Sequence, residues 1–221
     1  MRDKPLWSKR TERVPEVDLG ELECRVTIQR HLVGAPLDVN WMQCIRGTQK
    51  VTAEVVHHVP PEDWDDEPKK RTIGRASALT VDMNRTPSAF ESLDHLAAGT
   101  SLLARMADDL IEQFEEDPTM VHTSQLVCVE DVRVSEAYRG QRIGPRLVAS
   151  LVEAVSGGGT NTLVVLDIDR WIETTELEER RWVKKMKPVL ESMGFEHYER
   201  AGYWRHTSLM GGESLWAKKA E

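Results

Sequence analysis

Apolar and polar residues alternate in three stretches of the first third of the chain, a pattern typical of β-strands. The stretches are residues 22–30 (LECRVTIQR), 50–59 (KVTAEVVHHV) and 72–83 (TIGRASALTVDM). Residues 34–48 favour a short helix around Trp41, and residues 60–71 (PPEDWDDEPKKR) are typical of a polar loop that ends in a basic cluster. The pattern therefore predicts three strands joined by two connections.

A helical pattern follows the third strand. Thr86 and Pro87 suit the N-cap and first turn of a helix, and Asp117 and Pro118 suit its end. Between them apolar residues recur at helical spacing, with a break expected near Gly99. The apolar stripe consists of Leu103, Met106, Leu110 and Phe114. This region predicts a helical insertion at about residues 87–117.

The second half of the chain contains a strand–helix–strand unit. Residues 125–134 (QLVCVEDVRV) and 162–168 (TLVVLDI) predict two largely apolar strands, with a helix at 143–156 between them. Such a crossover makes its two strands parallel. A helix up to Met193 and two final strands complete the pattern, at 195–204 (FEHYERAGYW) and 213–220 (ESLWAKKA). We predict an α/β protein with a mixed, mostly antiparallel sheet of about seven strands flanked by helices.

The size and composition of the chain favour one domain. Its 221 residues, of which 40% are hydrophobic, are enough for one substantial core. Residues 1–20 are charged and carry no apolar segment, so we expect a flexible leader there and a single domain at 21–221. No apolar run approaches the ~20 residues of a membrane-spanning helix.

Charge and cysteine content narrow the expected partners. The formal charge of −8 argues against nucleic acid and weakly favours a cationic partner. The three cysteines form no CxxC pair, which argues for a reducing compartment and against a zinc site. His57 and His58 face opposite ways on a strand, so we interpret them as structural or surface residues. We expect a cytoplasmic protein that binds no metal, membrane or nucleic acid, and a homodimer is compatible with the sequence.

The segment between the fourth strand and the following helix, residues 138–144 (YRGQRIG), carries two arginines and two glycines. A helix N-terminus exposes unpaired N–H groups and a partial positive charge, and glycines let a phosphate approach the backbone. Arg139 and Arg142 would add charge-assisted hydrogen bonds. The segment fits a pyrophosphate cradle, although it matches neither the Walker nor the dinucleotide-binding pattern. The alternative is a tight turn whose arginines are solvated.

The run at residues 132–144 (VRVSEAYRGQRIG), followed by an apolar helix, resembles the acyl-CoA-binding segment of the GNAT superfamily of N-acyltransferases, whose pattern is Q/R-x-x-G-x-G/A. Residues 189–199 (VLESMGFEHYE) resemble the closing segment of that family. The resemblance implies that the fourth and fifth strands splay apart and that acyl-CoA lies between them. It also implies acyl transfer from acetyl-CoA, or another acyl-CoA, to an amine.

The resemblance assigns roles to individual positions. Arg139 takes the leading place of the loop pattern and Gly144 the last, and the amides of residues 140–144 face the pyrophosphate. Val132 and Val134 take the strand positions whose backbone pairs with the pantetheine arm. The cofactor-binding residues implied in this way are Val132, Arg133, Val134, Arg139, Gly140, Gln141, Arg142, Ile143 and Gly144.

The sequence departs from the family pattern in three respects. Arg142 stands at the position of the usual middle glycine. We expect an arginine at this position only if its φ is negative. Leu190 stands where a tyrosine often protonates the departing thiolate, a role that Tyr198 or Tyr203 could take instead. The helical region 87–117 lies after the third strand, whereas the family usually has two helices between its first and second strands.

Attack by an alkyl amine requires a base, because its pKa near ~10.4 leaves it almost entirely protonated at neutral pH. Glu130 is the candidate catalytic residue. Strand alternation predicts that Glu130 and Asp131 point to opposite faces, with Glu130 on the pantetheine-pairing side unless a bulge intervenes. The alternative is that both carboxylates are solvated or paired with Arg133. Asp167 and Asp169 are weaker candidates.

The leading prediction is an N-acyltransferase that moves an acetyl or other acyl group from acyl-CoA to a primary amine of a small molecule or peptide. Leu190 and Arg142 keep a second hypothesis open, namely a non-catalytic acyl-CoA-binding or scaffold protein with the same fold. A third hypothesis is an unrelated phosphate-binding α/β protein, in which the strands at 126–134 and 161–168 do not splay.

Overall fold

The structure is a computed structural model of the 221-residue chain. It describes residues 18–30, 48–60, 69–85, 88–94, 101–116, 122–156, 161–167, 176–198 and 202–207. Several predicted segments therefore lie outside the described residues. They are most of the leader, the helix around Trp41, the acidic part of the loop at 60–71, both ends of the helical region at 87–117, and the strand at 213–220.

The strands of the described ranges form one sheet in the order β1-β2-β3-β4-β5-β7-β6. They are β1 (Leu22–Arg30), β2 (Thr48–Val59), β3 (Lys69–Asp82), β4 (Gln125–Val134), β5 (Thr162–Asp167), β6 (Glu196–His197) and β7 (Gly202–Thr207). The helices of these ranges are α1 (Ala89–Asp94), α2 (Ser101–Glu116), α3 (Ile143–Ser156) and α4 (Glu176–Ser192).

The sheet is mixed, as the sequence predicts. Strands β4 and β5 are parallel, and every other neighbouring pair is antiparallel. Helix α3 supplies the crossover between the two parallel strands. Along the chain, helices α1 and α2 follow β3 and precede β4. The prediction of a mixed, mostly antiparallel seven-stranded sheet flanked by helices is confirmed.

Each face of the sheet packs against its own helices. The face covered by α3 and α4, called here the α3 face, has a buried cluster that includes Val127, Val129, Leu147, Leu151 and Leu190. The opposite face, called the α2 face, packs against α1 and α2 in a cluster that includes Leu93, Leu103, Leu110, Leu126 and Cys128. Residues 126–129 of β4 alternate between the two clusters, so this part of the sheet is buried on both sides.

Two predicted boundaries are wrong. Residues 69–71 are part of β3 and pair with β2, although the sequence places them at the end of a loop. Ladder hydrogen bonds use only the backbone, so exposed basic residues can extend a strand. The segment at 195–204 is not one strand, because it contains β6 and the start of β7, which run antiparallel to each other. Gly202 was the available sign of this reversal.

Candidate functional site

Strand β4 has two halves with different neighbours. Residues Gln125–Val129 pair with Thr162–Leu166 of β5 on one side and with β3 on the other. Residues 130–134 continue beside β3, but within the described ranges they have no strand partner on the β5 side. We call residues 125–129 the paired half and residues 130–134 the open half.

The open half turns main-chain polar groups toward the side without a partner. The Ser135 N–H donates to the Ile73 carbonyl of β3 at 2.8 Å. In an antiparallel ladder alternate residues face the partner strand, so the N–H and C=O groups of Val132 and Val134 face away from β3. Buried or ligand-facing backbone groups of this kind need hydrogen-bond partners. The open half therefore offers a short row of donors and acceptors to an extended ligand.

A β-bulge separates the two halves. Ala78 pairs with Val129 and Ser77 pairs with Asp131, so Glu130 is the extra residue on β4. Beyond the bulge Val132 and Val134 pack against the α3-face cluster, as Val127 and Val129 do before it. One added residue is what keeps both pairs of valines on the same face.

The bulge corrects the prediction for the two carboxylates. Asp131 pairs with Ser77, whose neighbours Ala76 and Ala78 belong to the α3-face cluster, so Asp131 lies on the α2 face. Glu130 lies on that face as well, because it approaches Lys50, which pairs with Leu79 of the α2-face cluster. Glu130 and Asp131 thus share one face, opposite the valines of the open half, and the expectation that they point to opposite faces is wrong.

The two carboxylates have different surroundings. The Glu130 side chain is 17% exposed, and its nearest recorded cation is the Lys50 ammonium at 4.0 Å. The Asp131 carboxylate is 2.9 Å from the Arg133 guanidinium, the pairing that the sequence left open as an alternative. Glu130 is therefore the less engaged and more buried of the two. Lys50 is a neighbour that sequence reasoning did not find, because it lies 80 residues earlier in the chain.

The segment after β4 leads directly into α3. Residues Glu136–Tyr138 form a 3-10 turn, and α3 begins at Ile143. Residues 139–144 are the segment for which the sequence predicts phosphate binding, and we call them the phosphate loop after that prediction. The Arg142 carbonyl accepts the Arg146 N–H at 3.3 Å, which starts the hydrogen bonding of α3. The N–H groups of the first helical residues have no acceptor within the helix, as at any helix N-terminus.

Two residues of the phosphate loop have left-handed backbone. Gly140 has a φ of 87° and Arg142 a φ of 58°. The expectation that Arg142 has a negative φ is wrong. Its φ suits the glycine usual at that position, so the arginine keeps the loop conformation despite the steric cost of its Cβ. The Arg142 side chain is exposed.

The first turn of α3 lies directly against the open half of β4. A Cβ built on Gly144 would lie 3.7 Å from Val132 Cγ1 and 3.8 Å from Val134 Cγ2. A Cβ on Gly74 of β3 would lie only 2.9 Å from Leu147 Cδ1 of α3, so the helix approaches the sheet closely there. Arg139 Nε donates to the Val134 carbonyl at 3.2 Å. The phosphate loop and the open half therefore form one continuous surface.

The segment that resembles the closing segment of the family packs on the α3 face, through Leu190, Met193 and Phe195. Gly194 has a φ of 79°, and its N–H donates to the Glu191 carbonyl at 2.9 Å, which ends α4. Leu190 is 1% exposed and belongs to the α3-face cluster. Its side chain offers no proton donor at the position where the family often has tyrosine.

The two tyrosines considered as replacements differ in location. Tyr198 packs against the α2-face cluster and donates to Asp109 Oδ2 at 3.0 Å. Tyr203 is fully buried in the α3-face cluster with Leu190, and its hydroxyl has no hydrogen-bond partner among the described residues. Burial, and secondarily the nearby Glu191, raises the pKa of Tyr203 above its ordinary value. Of the two, only Tyr203 lies on the face of the phosphate loop.

The two further carboxylates considered as candidates are Asp167 and Asp169. Asp167 ends β5 and is 4% exposed, and Asp169 lies outside the described residues.

Among the residues that the structure describes, no group of three or more potential ligands could hold a metal ion. None of the described helices is long and apolar enough to cross a membrane.

Comparisons with known proteins give matches in structure only. The sequence matches no protein-family model and has no significant match among curated proteins. The structure is similar to the ligand-free form of an agmatine N-acetyltransferase mutant, with a TM-score of 0.38 and 16% identity over 71% of this chain and 74% of that chain. It is also similar to Arabidopsis thaliana NAA60 in complex with acetyl-CoA (TM-score 0.35, 14% identity, 86% of this chain and 100% of that chain). NAA60 with a bisubstrate analogue gives 0.34 and 13% over 82% of this chain and 98% of that chain.

These TM-scores are low, so the fold assignment rests on the topology. The mixed seven-stranded sheet has β4 and β5 parallel over the paired half, an open half with no strand on the β5 side among the described residues, and a glycine-containing loop that starts the crossover helix. This arrangement has the sheet topology that the sequence's resemblance to the GNAT superfamily implies, so the predicted fold class is confirmed.

Proposed function

We propose that the protein is an N-acyltransferase that uses acetyl-CoA, or another acyl-CoA, as cosubstrate and a primary amine as acceptor. One observation carries the proposal: a Cβ built on Gly144, in the first turn of α3, would lie 3.7 and 3.8 Å from the side chains of the two valines of the open half. A candidate phosphate-binding helix start thus adjoins a strand edge that has no partner on the β5 side among the described residues. A ligand with a pyrophosphate at one end and an amide-containing arm at the other would fit this surface.

The phosphate loop is the proposed pyrophosphate subsite. Its amides at 140–144 would hold the phosphate oxygens, with the helix dipole adding favourable potential. The guanidinium groups of Arg139 and Arg142 would supply charge-assisted hydrogen bonds. The set assigned to this subsite is Arg139, Gly140, Gln141, Arg142, Ile143 and Gly144.

The open half of β4 is the proposed pantetheine subsite. Val132 and Val134 would pair with the amides of the arm through main-chain groups that face away from β3. The Val134 carbonyl already accepts from Arg139, so an entering arm would compete with or displace that contact. Arg133 completes the assigned set. Its guanidinium is 2.9 Å from the Asp131 carboxylate, which lies on the α2 face, opposite the two valines.

Glu130 is the proposed general base. It lies on the α2 face, so the amine would approach from that face while the arm occupies the edge of the strand. Its carboxylate would accept the amine proton directly or through water, and a base so placed contributes ~10²–10⁴-fold in rate. The thioester oxygen would be stabilised by a backbone N–H near Val132. A net charge of −8 favours a cationic acceptor, in a small molecule or a peptide.

Ligand-induced stabilisation tests the binding step. Coenzyme A and acetyl-CoA at millimolar concentration should raise Tm, because a ligand that binds only the folded state stabilises it. ATP and inorganic pyrophosphate serve as controls for general phosphate affinity. Equal shifts with ATP and CoA, or no shift with any acyl-CoA, would count against the assignment.

A second candidate function keeps the fold without catalysis. The buried, apolar Leu190 favours it, because the usual acid is missing and the protein would then bind acyl-CoA as a sensor or scaffold. Release of free thiol from acetyl-CoA, measured with polyamines, aminoglycosides, amino acids and basic peptides, separates the two. Turnover that disappears in Glu130→Gln establishes the enzyme, and binding without turnover on any acceptor establishes the alternative.

A further inference from the structure

The phosphate loop is held between two buried residues. Tyr138, at its entrance, is 2% exposed, and Ile143, at its exit, is 3% exposed. The residues between them are exposed or half-buried. Ile143 is fixed by apolar packing in the α3-face cluster. Tyr138 packs in the same cluster, but it brings a hydroxyl that needs a hydrogen-bond partner when buried.

That partner is the histidine His57 of β2. The Tyr138 hydroxyl is 3.1 Å from His57 Nδ1, and the two rings meet edge to face with centroids 5.7 Å apart. His57 is itself only 6% exposed. The Arg71 guanidinium lies 5.9 Å from the centre of the Tyr138 ring, so a cation also faces this ring.

The second nitrogen of His57 connects to a carboxylate. His57 Nε2 is 3.3 Å from Glu21 Oε2, whose side chain is 38% exposed. The His57 tautomer that carries its proton on Nε2 donates that proton to the Glu21 carboxylate and accepts the Tyr138 O–H at Nδ1. The contacts thus form a directed chain from the loop entrance through β2 to the turn before β1.

We propose that Tyr138, His57 and Glu21 form a positioning relay for the phosphate loop. None of the three touches the ligand. The relay fixes the depth and rotation of the Tyr138 ring, and with it the entrance of a loop whose next residues are exposed or half-buried. The loss of loop entropy then occurs on folding and not on binding, which raises affinity. This inference rests on the proposed binding of acyl-CoA at the loop.

The Tyr138→Phe variant removes only the hydroxyl of the relay. We expect the affinity for CoA, measured by calorimetry, to fall about three- to tenfold. KM for acetyl-CoA should rise by the same factor, with kcat unchanged. Tyr198→Phe is the matched control, because it also removes a tyrosine hydroxyl with a side-chain partner at 3.0 Å, but on the α2 face. The control should leave CoA affinity unchanged.

Two substitutions of His57 test the direction of the relay. His57→Asn keeps a polar atom near the position of Nδ1, facing Tyr138, and His57→Gln keeps one near Nε2, facing Glu21. Both lose the ring, so their folding costs are similar. If the link to Tyr138 positions the loop, His57→Asn should retain more CoA affinity than His57→Gln. The reverse order would overturn the proposed direction.

Hydrogen exchange of the ligand-free protein provides a readout that does not depend on CoA. Tyr138→Phe should speed exchange at residues 139–146 while the amides of the paired half keep their protection. If the wild-type protein binds CoA and Tyr138→Phe binds it equally well, the relay is overturned and the proposed function stands. If the wild-type protein binds no acyl-CoA, the proposed function fails, and the relay fails with it as a device for ligand positioning.

Discussion

The two halves of β4 belong to one strand but obey different constraints. The paired half carries the apolar run LVCV, has strands on both sides, and packs into clusters on both faces. The open half carries the charged residues Glu130, Asp131 and Arg133 beside its two valines and, within the described residues, has a strand on one side only. Glu130, the inserted residue, begins the open half directly after Val129. The buried scaffold and the candidate catalytic residue are therefore adjacent along the chain.

This difference separates stability from function along the strand. Substitutions in the paired half should act on folding, because the side chains of residues 126–129 are buried and the strand has partners on both sides. Substitutions in the open half should act mainly on ligand binding. Pairs of matched variants can test that separation.

The largest contrast is expected for one substitution made in each half. Val127→Asp buries an uncompensated carboxylate in a fully enclosed position and should lower the free energy of unfolding by about 3–5 kcal/mol. Val132→Asp places the same group at a half-buried position and should cost about 1–2 kcal/mol. Denaturant unfolding measures both. Equal losses would show that the open half is enclosed as fully as the paired half.

The next contrast concerns the two glycines between α3 and the sheet. Gly74→Ala places a Cβ 2.9 Å from Leu147 Cδ1 and should lower stability by about 1–3 kcal/mol through overpacking. Gly144→Ala makes only ordinary contacts at 3.7 and 3.8 Å in the first turn of a helix, so stability should stay unchanged or rise by up to about 1 kcal/mol. If Gly144→Ala is the more damaging of the two, α3 does not lie against the strands as described.

A smaller effect of opposite sign is expected at Arg142. Arg142→Gly relieves left-handed strain of about 1–2 kcal/mol but adds about 0.4–1 kcal/mol of unfolded-state entropy, so stability should rise by up to about 1.6 kcal/mol. CoA affinity, measured by calorimetry on the same variant, then reports the side chain. A loss of affinity in the more stable protein would identify Arg142 as a ligand contact, and unchanged affinity would show that the arginine is only solvated.

The smallest effect concerns pH. His206 of β7 pairs with Leu163, next to the paired half, and burial lowers its pKa below the ordinary value of 6.5. The unfolded chain therefore takes up the proton first, so this contribution to stability is present above pH 6.5 and is lost as pH falls below it. His206→Gln should flatten the fall in Tm on acidification.

Much of the fold could be predicted because burial leaves a period in the sequence. The apolar stripe Leu103, Met106, Leu110 and Phe114 is buried as expected, and β5 is buried on both faces. The hairpin of β6 and β7 was missed because the exposed Glu196 and His197 continue the alternation of the next strand. A short edge strand has no burial pattern of its own.

The site could be predicted less completely, for two physical reasons. A bulge adds one residue without changing composition, so the common face of Glu130 and Asp131 left no sign in the sequence. Tertiary contacts leave none either: Tyr138 and His57 are 81 residues apart. The phosphate loop was recognisable because its glycines follow local backbone rules, yet the same rules failed at Arg142, where the surrounding structure imposes the conformation of glycine.

The bulge at Glu130 also couples the two faces of β4. The insertion or deletion of one residue in such a strand changes which side chains point to each face, even when no residue is replaced. Removal of one residue there would turn Val132 and Val134 toward the α2 face and bring Arg133 against the buried cluster under α3. Core packing would then select against the deletion even if the carboxylates had no use. The position of the two carboxylates is therefore tied to the packing of α3, and the side chains at positions 130 and 131 can be replaced while the phase of the strand stays fixed.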